Sequence, residues 1–219
     1  MNATWANSET KQLIRHGITY WADQLLGVRN VKNVFTLPSK DALCANTFRE
    51  SWPNCSLFGV ERVKKIWKEI DRSSGIYVFN CSLRDYIKQN TQLRGDHFDV
   101  AFFDFTGAAS ETNVKVVTDW VSNENVVHRG KKSIVAVTFN GSDRRYGTGR
   151  IVKKIGKQVH FDEEEKPFYN SETSANLVMD EIQNAVKRIR VLSLLHCEDY
   201  QSQEDSQLMY FFILVVEKY

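Results

Sequence analysis

Apolar positions in this chain fall into two alternating rhythms. From Thr10 to Leu26, Ile14, Ile18, Trp21 and Leu25 recur at helical spacing, after an Asn7/Ser8 capping signal and before Gly27, which predicts an amphipathic helix. Val31 to Leu37 predicts a short strand, Pro38 and Ser39 a turn, and Lys40 to Ser51 a helix. A second apolar run, Cys55 to Val60, stops on Glu61 and gives way to helical periodicity through Val63, Ile66, Trp67 and Ile70. Ile76 to Phe79 is a third strand, ending at Asn80 and Cys81, with Ser82 opening an amphipathic helix to Asn90. Val100 to Phe103 is apolar throughout and ends abruptly on Asp104, as expected of a strand covered on both faces. Phe105, Thr106 and Gly107 would form the loop beyond it, and Ser110 would cap a helix carrying Val114, Val117 and Val121. Ser133 to Phe139 is a fifth strand, equally apolar.

After a polar stretch, Asn170 and Ser171 start a helix to about Arg190, with Val178, Ile182, Ala185 and Ile189 facing inward. Val191 to Cys197 and Leu208 to Glu217 follow, joined by a polar link too short for a crossover helix, so they must pair antiparallel. Five strand–helix alternations argue for right-handed βαβ units. The expected fold is therefore α/β: a three-layer, Rossmann-like, seven-stranded sheet, mostly parallel, closed by a C-terminal antiparallel hairpin. The expected organisation is one domain over residues 1–219, with residues 1–30 as an N-terminal helical extension.

Composition narrows the function classes. A chain of 219 residues can bury a core without metal or disulfide. Cys44, Cys55, Cys81 and Cys197 form no CxxC pair and read as buried free thiols of a reducing compartment. The opening residues lack the basic start and apolar run of a signal peptide, and no stretch approaches ~18 apolar residues, so a cytoplasmic protein without a membrane span is expected. Five dispersed histidines give no metal site, and no Ser/His/Asp arrangement is visible. GxGxxG is absent, which disfavours a nicotinamide-binding protein.

Five alternating units, a further helix and a terminal antiparallel hairpin resemble the class I methyltransferases that use S-adenosylmethionine, over nearly the whole chain. The resemblance implies a cofactor lying over the carboxyl ends of the first strands. Glu61 stands where the family keeps an acid for the ribose hydroxyls, a role a carboxylate can fill by accepting two hydrogen bonds. Asn80, Cys81 and Ser82 fall where members contact the adenine ring, and Asp104 falls near the methyl group and substrate. In members that methylate amino groups this acid opens an Asp-Pro-Pro-Tyr type motif; here Asp-Phe-Thr-Gly stands instead, which argues against an exocyclic amine. After the first strand the family has a glycine-rich turn, whereas this chain has Thr36, Leu37, Pro38, Ser39, Lys40, Asp41 and Ala42. Cofactor binding would then fall to Thr36, Leu37, Pro38, Ser39 and the helix amides after them.

Between His128 and His160 stand nine Lys/Arg, among them Arg129, Lys131, Lys132, Arg144 and Arg145, against one Asp. Such a segment suits a phosphate-binding rim, and the resemblance puts Phe105, Thr106, Phe139 and Asn140 on the substrate side of the cleft. The expected function is methyl transfer to nucleic acid, with Asp104 as catalytic residue, no metal, and Phe105, Thr106, Phe139, Asn140, Arg144 and Arg145 holding the substrate. The alternative is a silent member of the fold that binds nucleic acid or protein.

Overall fold

Continuous apolar runs become the middle of a sheet because only there are both faces covered. The computed structural model describes residues 9–90, 97–105, 107, 110–124, 126–140, 160–161, 167–168, 171–185, 189–201 and 208–219. Its helices are α1 Glu9–Leu26, α2 Leu43–Ser51, α3 Lys64–Glu69, α4 Leu83–Asn90, α5 Glu111–Ser122 and α6 Ser171–Ala185. Its strands are β1 Asn33–Thr36, β2 Ser56–Val60, β3 Tyr77–Phe79, β4 Val100–Asp104, β5 Lys132–Asn140, β6 His160–Phe161, β7 Pro167–Phe168, β8 Ile189–Gln201 and β9 Leu208–Lys218.

Seven strands form one sheet in the order β3-β2-β1-β4-β5-β9-β8, parallel from β3 to β5 and antiparallel at β5–β9 and β9–β8. The expected mixed sheet and C-terminal hairpin are present. Chain order and spatial order reverse at β1, with β2 on one side and β4 on the other, so a crevice opens over the carboxyl ends of these strands.

Two cores cover the sheet. One face packs Phe35, Ala101, Phe103, Val135 and Val137 against Trp120 and Val117 of α5 and Val178 and Ile182 of α6. The other packs Val34, Val100, Phe102, Ile134 and Ala136 against Ile14, Ile18 and Ala22 of α1 and Ala45 and Phe48 of α2. Thus α1 is built into the helical layer and is more than an extension. Each of its ends is tied down, by Lys11 on Asp104 and by Trp52 Nε1 donating to Asp23 at 2.7 Å.

Several boundaries differ from expectation. The last helix stops at Ala185, and Ile189 and Arg190 already pair with Lys218 and Glu217, because the β9 ladder captures them. β8 continues through the polar residues to Gln201 for the same reason, and β6 and β7 form a short separate ladder. The thiols are less uniformly buried than expected: Cys55 is buried, Cys44 and Cys81 are half-buried, and Cys197, on edge strand β8, is exposed. Among the described residues, no helix is long and apolar enough to cross a membrane.

Candidate functional site at the carboxyl edge of the sheet

Asp104 ends β4 on the α1 face of the sheet, since it shares side-chain parity with Val100 and Phe102. Parity and register set beside it Thr138, its β5 partner, whose hydroxyl donates to Oδ1 at 2.5 Å. Lys11 reaches the same oxygen from α1 at 2.6 Å, its side chain 4% exposed against 22% for Asp104. Among the described residues both hydrogen bonds to Asp104 fall on Oδ1, so the carboxylate is fixed through one oxygen while Oδ2 is left for another donor. Cys44, at the start of α2, feels Asp104, Arg15 and Lys11 and takes a hydrogen bond with Arg15. Burial, then the Asp104 charge, push its thiol up to about 11, so it is no thiolate nucleophile at neutral pH.

The turn after β1 closes down without a glycine of its own. The glycine stands on the neighbouring strand instead: a Cβ at Gly59 would lie 2.7 Å from Thr36 O and 2.9 Å from Pro38 Cδ. The left-handed residue needed to enter α2 is Ala42, with φ 46°, the single non-glycine at positive φ among the described residues. Thr36 is fully buried, and its Oγ1 has no hydrogen-bond partner among the described residues. Pro38 is buried, Leu37 is half-buried and Ser39 is exposed.

Glu61 follows β2, half-buried, with Oε1 accepting from the Val63 N–H at 2.6 Å. Asn80 donates to the Glu61 carbonyl at 2.8 Å, and so stitches the ends of β2 and β3 together. Ser82 accepts from the Asp85 N–H and donates to its carboxylate, a cap for α4. Burial raises the Cys81 thiol, and its side chain packs on the α5 face of the core.

Beyond the ends of β4 and β5, Phe105 lies nearly parallel to Phe103 and Phe139, with centroids 6.0 and 5.5 Å away. Phe139 is fully buried and reaches Phe212, so it backs the site from the core. Asn140 is almost buried, and its N–H donates to Gly107 O at 3.0 Å, tying the loop after β4 to the end of β5. Thr106, Arg144 and Arg145 lie outside the described residues.

The basic segment is not one rim. Arg129, Lys131 and Lys132 precede or open β5, at the amino edge, whereas Asp104 and Asn140 end strands at the carboxyl edge. Nine residues of strand put the two edges roughly 25 Å apart, so these three cations cannot line the cleft.

Lys11, Thr138 and Gly59 stand outside the residues to which the sequence points. Lys11 did leave a signal: it shares the helical stripe of Ile14, Ile18 and Ala22, where a charge needs a buried partner. No local pattern could identify that partner, 93 residues away.

No family model matches the chain, and no curated protein matches it in sequence. Solved structures do match in shape. The plantazolicin methyltransferase BpumL in complex with SAH superimposes with a TM-score of 0.59 at 8% identity, over 97% of this chain and 87% of its own. The O-methyltransferase from Bacillus cereus in complex with SAH gives 0.54 at 12%, over 96% and 82%. A mutant of the 16S rRNA (adenine(1408)-N(1))-methyltransferase from Catenulisporales acidiphilia gives 0.50 at 12%, over 90% and 92%.

Proposed function

The chain has the class I methyltransferase fold, and on that premise we propose that it is an S-adenosylmethionine-dependent methyltransferase acting on nucleic acid. The observation that carries the reading is the clamped Asp104 at the crevice, a partly exposed carboxylate with one oxygen committed and, among the described residues, one available. The cofactor half fits its ligand: among the described residues Thr36 Oγ1 is a buried polar atom without a partner and Glu61 uses only Oε1. Bound S-adenosylmethionine would supply an electrophilic methyl group on a sulfonium sulfur. Glu61 would hold ribose hydroxyls through Oε2, Thr36 would bond the cofactor at the β1 turn, and Cys81 would lie against the adenine side. Asp104 would orient the acceptor and receive its proton, with positioning supplying most of the acceleration.

The nucleic-acid part rests on the sequence after Asn140, where Arg144, Arg145, Arg150, Lys153, Lys154 and Lys157 follow one another with Asp143 as the only acid before His160. Calorimetry with S-adenosylmethionine tests the cofactor part. Wild-type protein should bind, and Glu61→Ala should weaken binding by about 1–3 kcal/mol, the range for a lost charged hydrogen bond. The glycine-free β1 turn favours a second reading, a silent binder of the same fold, and no binding by the wild type would establish it over the first.

A further inference from the structure

We propose that the atom methylated is a hydroxyl oxygen, which on nucleic acid means the ribose hydroxyl of RNA that DNA lacks, with Lys11 as the positioning residue that makes the site select it. The proposal rests on the methyltransferase reading above and adds the acceptor.

Charge decides first. A nitrogen acceptor becomes positive as it gains a methyl group, before its proton leaves. A hydroxyl oxygen that gives up its proton as it gains the methyl carries negative charge on the way to a neutral ether. The Lys11 ammonium, 3% exposed and 2.6 Å from Oδ1, is a fixed buried cation at this carboxylate. Held out of water, such a charge opposes the first course and favours the second. The step balances as follows: the O–C bond forms while the C–S bond of the cofactor breaks with sulfur keeping the pair. The O–H bond breaks, and its proton passes to Asp104 Oδ2 and then to solvent.

Valence and shape agree. With Lys11 and Thr138 both on Oδ1, Asp104 offers one oxygen among the described residues, which suits the single proton of a hydroxyl. An exocyclic amine has two N–H groups to orient, on a flat ring that needs a face to stack against. Phe105, the aromatic next to Asp104, already makes near-parallel contacts with Phe103 and Phe139, at 12° and 5° between planes.

The test uses the full chain, S-adenosylmethionine labelled with tritium in the methyl group, and a short mixed-sequence RNA beside DNA of the same sequences. Label should enter RNA alone and, after alkaline hydrolysis, remain in dinucleotides, because a methylated ribose oxygen cannot attack the next phosphate. Label in DNA at a similar rate, or on the bases, would overturn the assignment. Cofactor binding without transfer to RNA would also overturn it while sparing the cofactor reading, whereas absent cofactor binding would remove both. Lys11→Met should lower the rate at saturating RNA by about 10²-fold with KM and cofactor affinity little changed, and Lys11→Arg should recover part of it. Loss that merely tracks the melting temperature, unrelieved in Lys11→Arg, would reduce Lys11 to a structural residue and sink its selective role.

Discussion

Lys11 Nζ and Asp104 Oδ1 meet at 2.6 Å across 93 residues of chain, joining the first helix to the end of the central strand. The two partners are not equivalent: Lys11 is buried and cannot turn to water, while Asp104 is partly exposed and can. Lys11→Met should therefore destabilise by about 2–3 kcal/mol, somewhat below the usual cost of breaking a fully buried pair. Adding Asp104→Leu should restore part of that, with a coupling of at least ~1 kcal/mol in a double-mutant cycle. Denaturant unfolding of the four proteins measures it, and simple additivity would mean that the pair contributes nothing as a pair.

Gly59 and Gly17 should respond to alanine in opposite directions. A Cβ at Gly59 meets the Thr36 carbonyl at 2.7 Å, a backbone atom that cannot swing aside, and it pushes on the candidate cofactor turn. Gly59→Ala should cost about 1–3 kcal/mol and weaken S-adenosylmethionine binding. At Gly17, inside α1, an added Cβ meets nothing within 4 Å, so alanine should stabilise by roughly 0.5–1 kcal/mol through helix propensity. Thermal melts with calorimetry separate the two; a stable Gly59→Ala that binds normally would show that the turn tolerates displacement.

What the sequence disclosed was what local pattern encodes. Val100 to Phe103 announced a doubly covered strand that ends on Asp104, and the short link before Leu208 left no choice but a hairpin. Non-local matters were hidden. The methyltransferase resemblance places a turn glycine between Thr36 and Ala42, yet the space is made by Gly59 on the next strand, a relation that exists only once β1 and β2 pair in register. The basic segment is continuous along the chain but not in space, because β5 carries Lys132 and Asn140 to opposite edges of the sheet. Ile189 fitted the helical stripe as well as it fits β8, and its pairing with Lys218 decided the matter.

His97 gives the protein an acid-sensitive joint at the amino edge, far from the cleft. Its Nδ1 accepts from the His128 N–H at 3.2 Å and its Nε2 lies 3.3 Å from the Lys132 carbonyl, an arrangement that the neutral Nε2–H tautomer satisfies at both nitrogens. Protonation would put a second proton on Nδ1 and break the first bond. Burial, with His128 and Lys131 adding to it, pulls the imidazole below its ordinary value of about 6.5, and the facing Asp99 carboxylate and the Lys132 carbonyl only partly counter this. The unfolded chain therefore takes up this proton at higher pH than the native protein does. The contribution of His97 is fully present above pH ~6.5 and is lost as pH falls from there through its native pKa, at up to ~1.4 kcal/mol per pH unit. His97→Gln, which keeps a donor for the Lys132 carbonyl but cannot titrate, should be less stable than wild type at neutral pH and lose less on acidification. Denaturant unfolding between neutral pH and pH ~5 would show the two curves converging. Parallel curves would mean that other groups set the acid response and that the His97 imidazole takes up its proton alike in the native and unfolded chains.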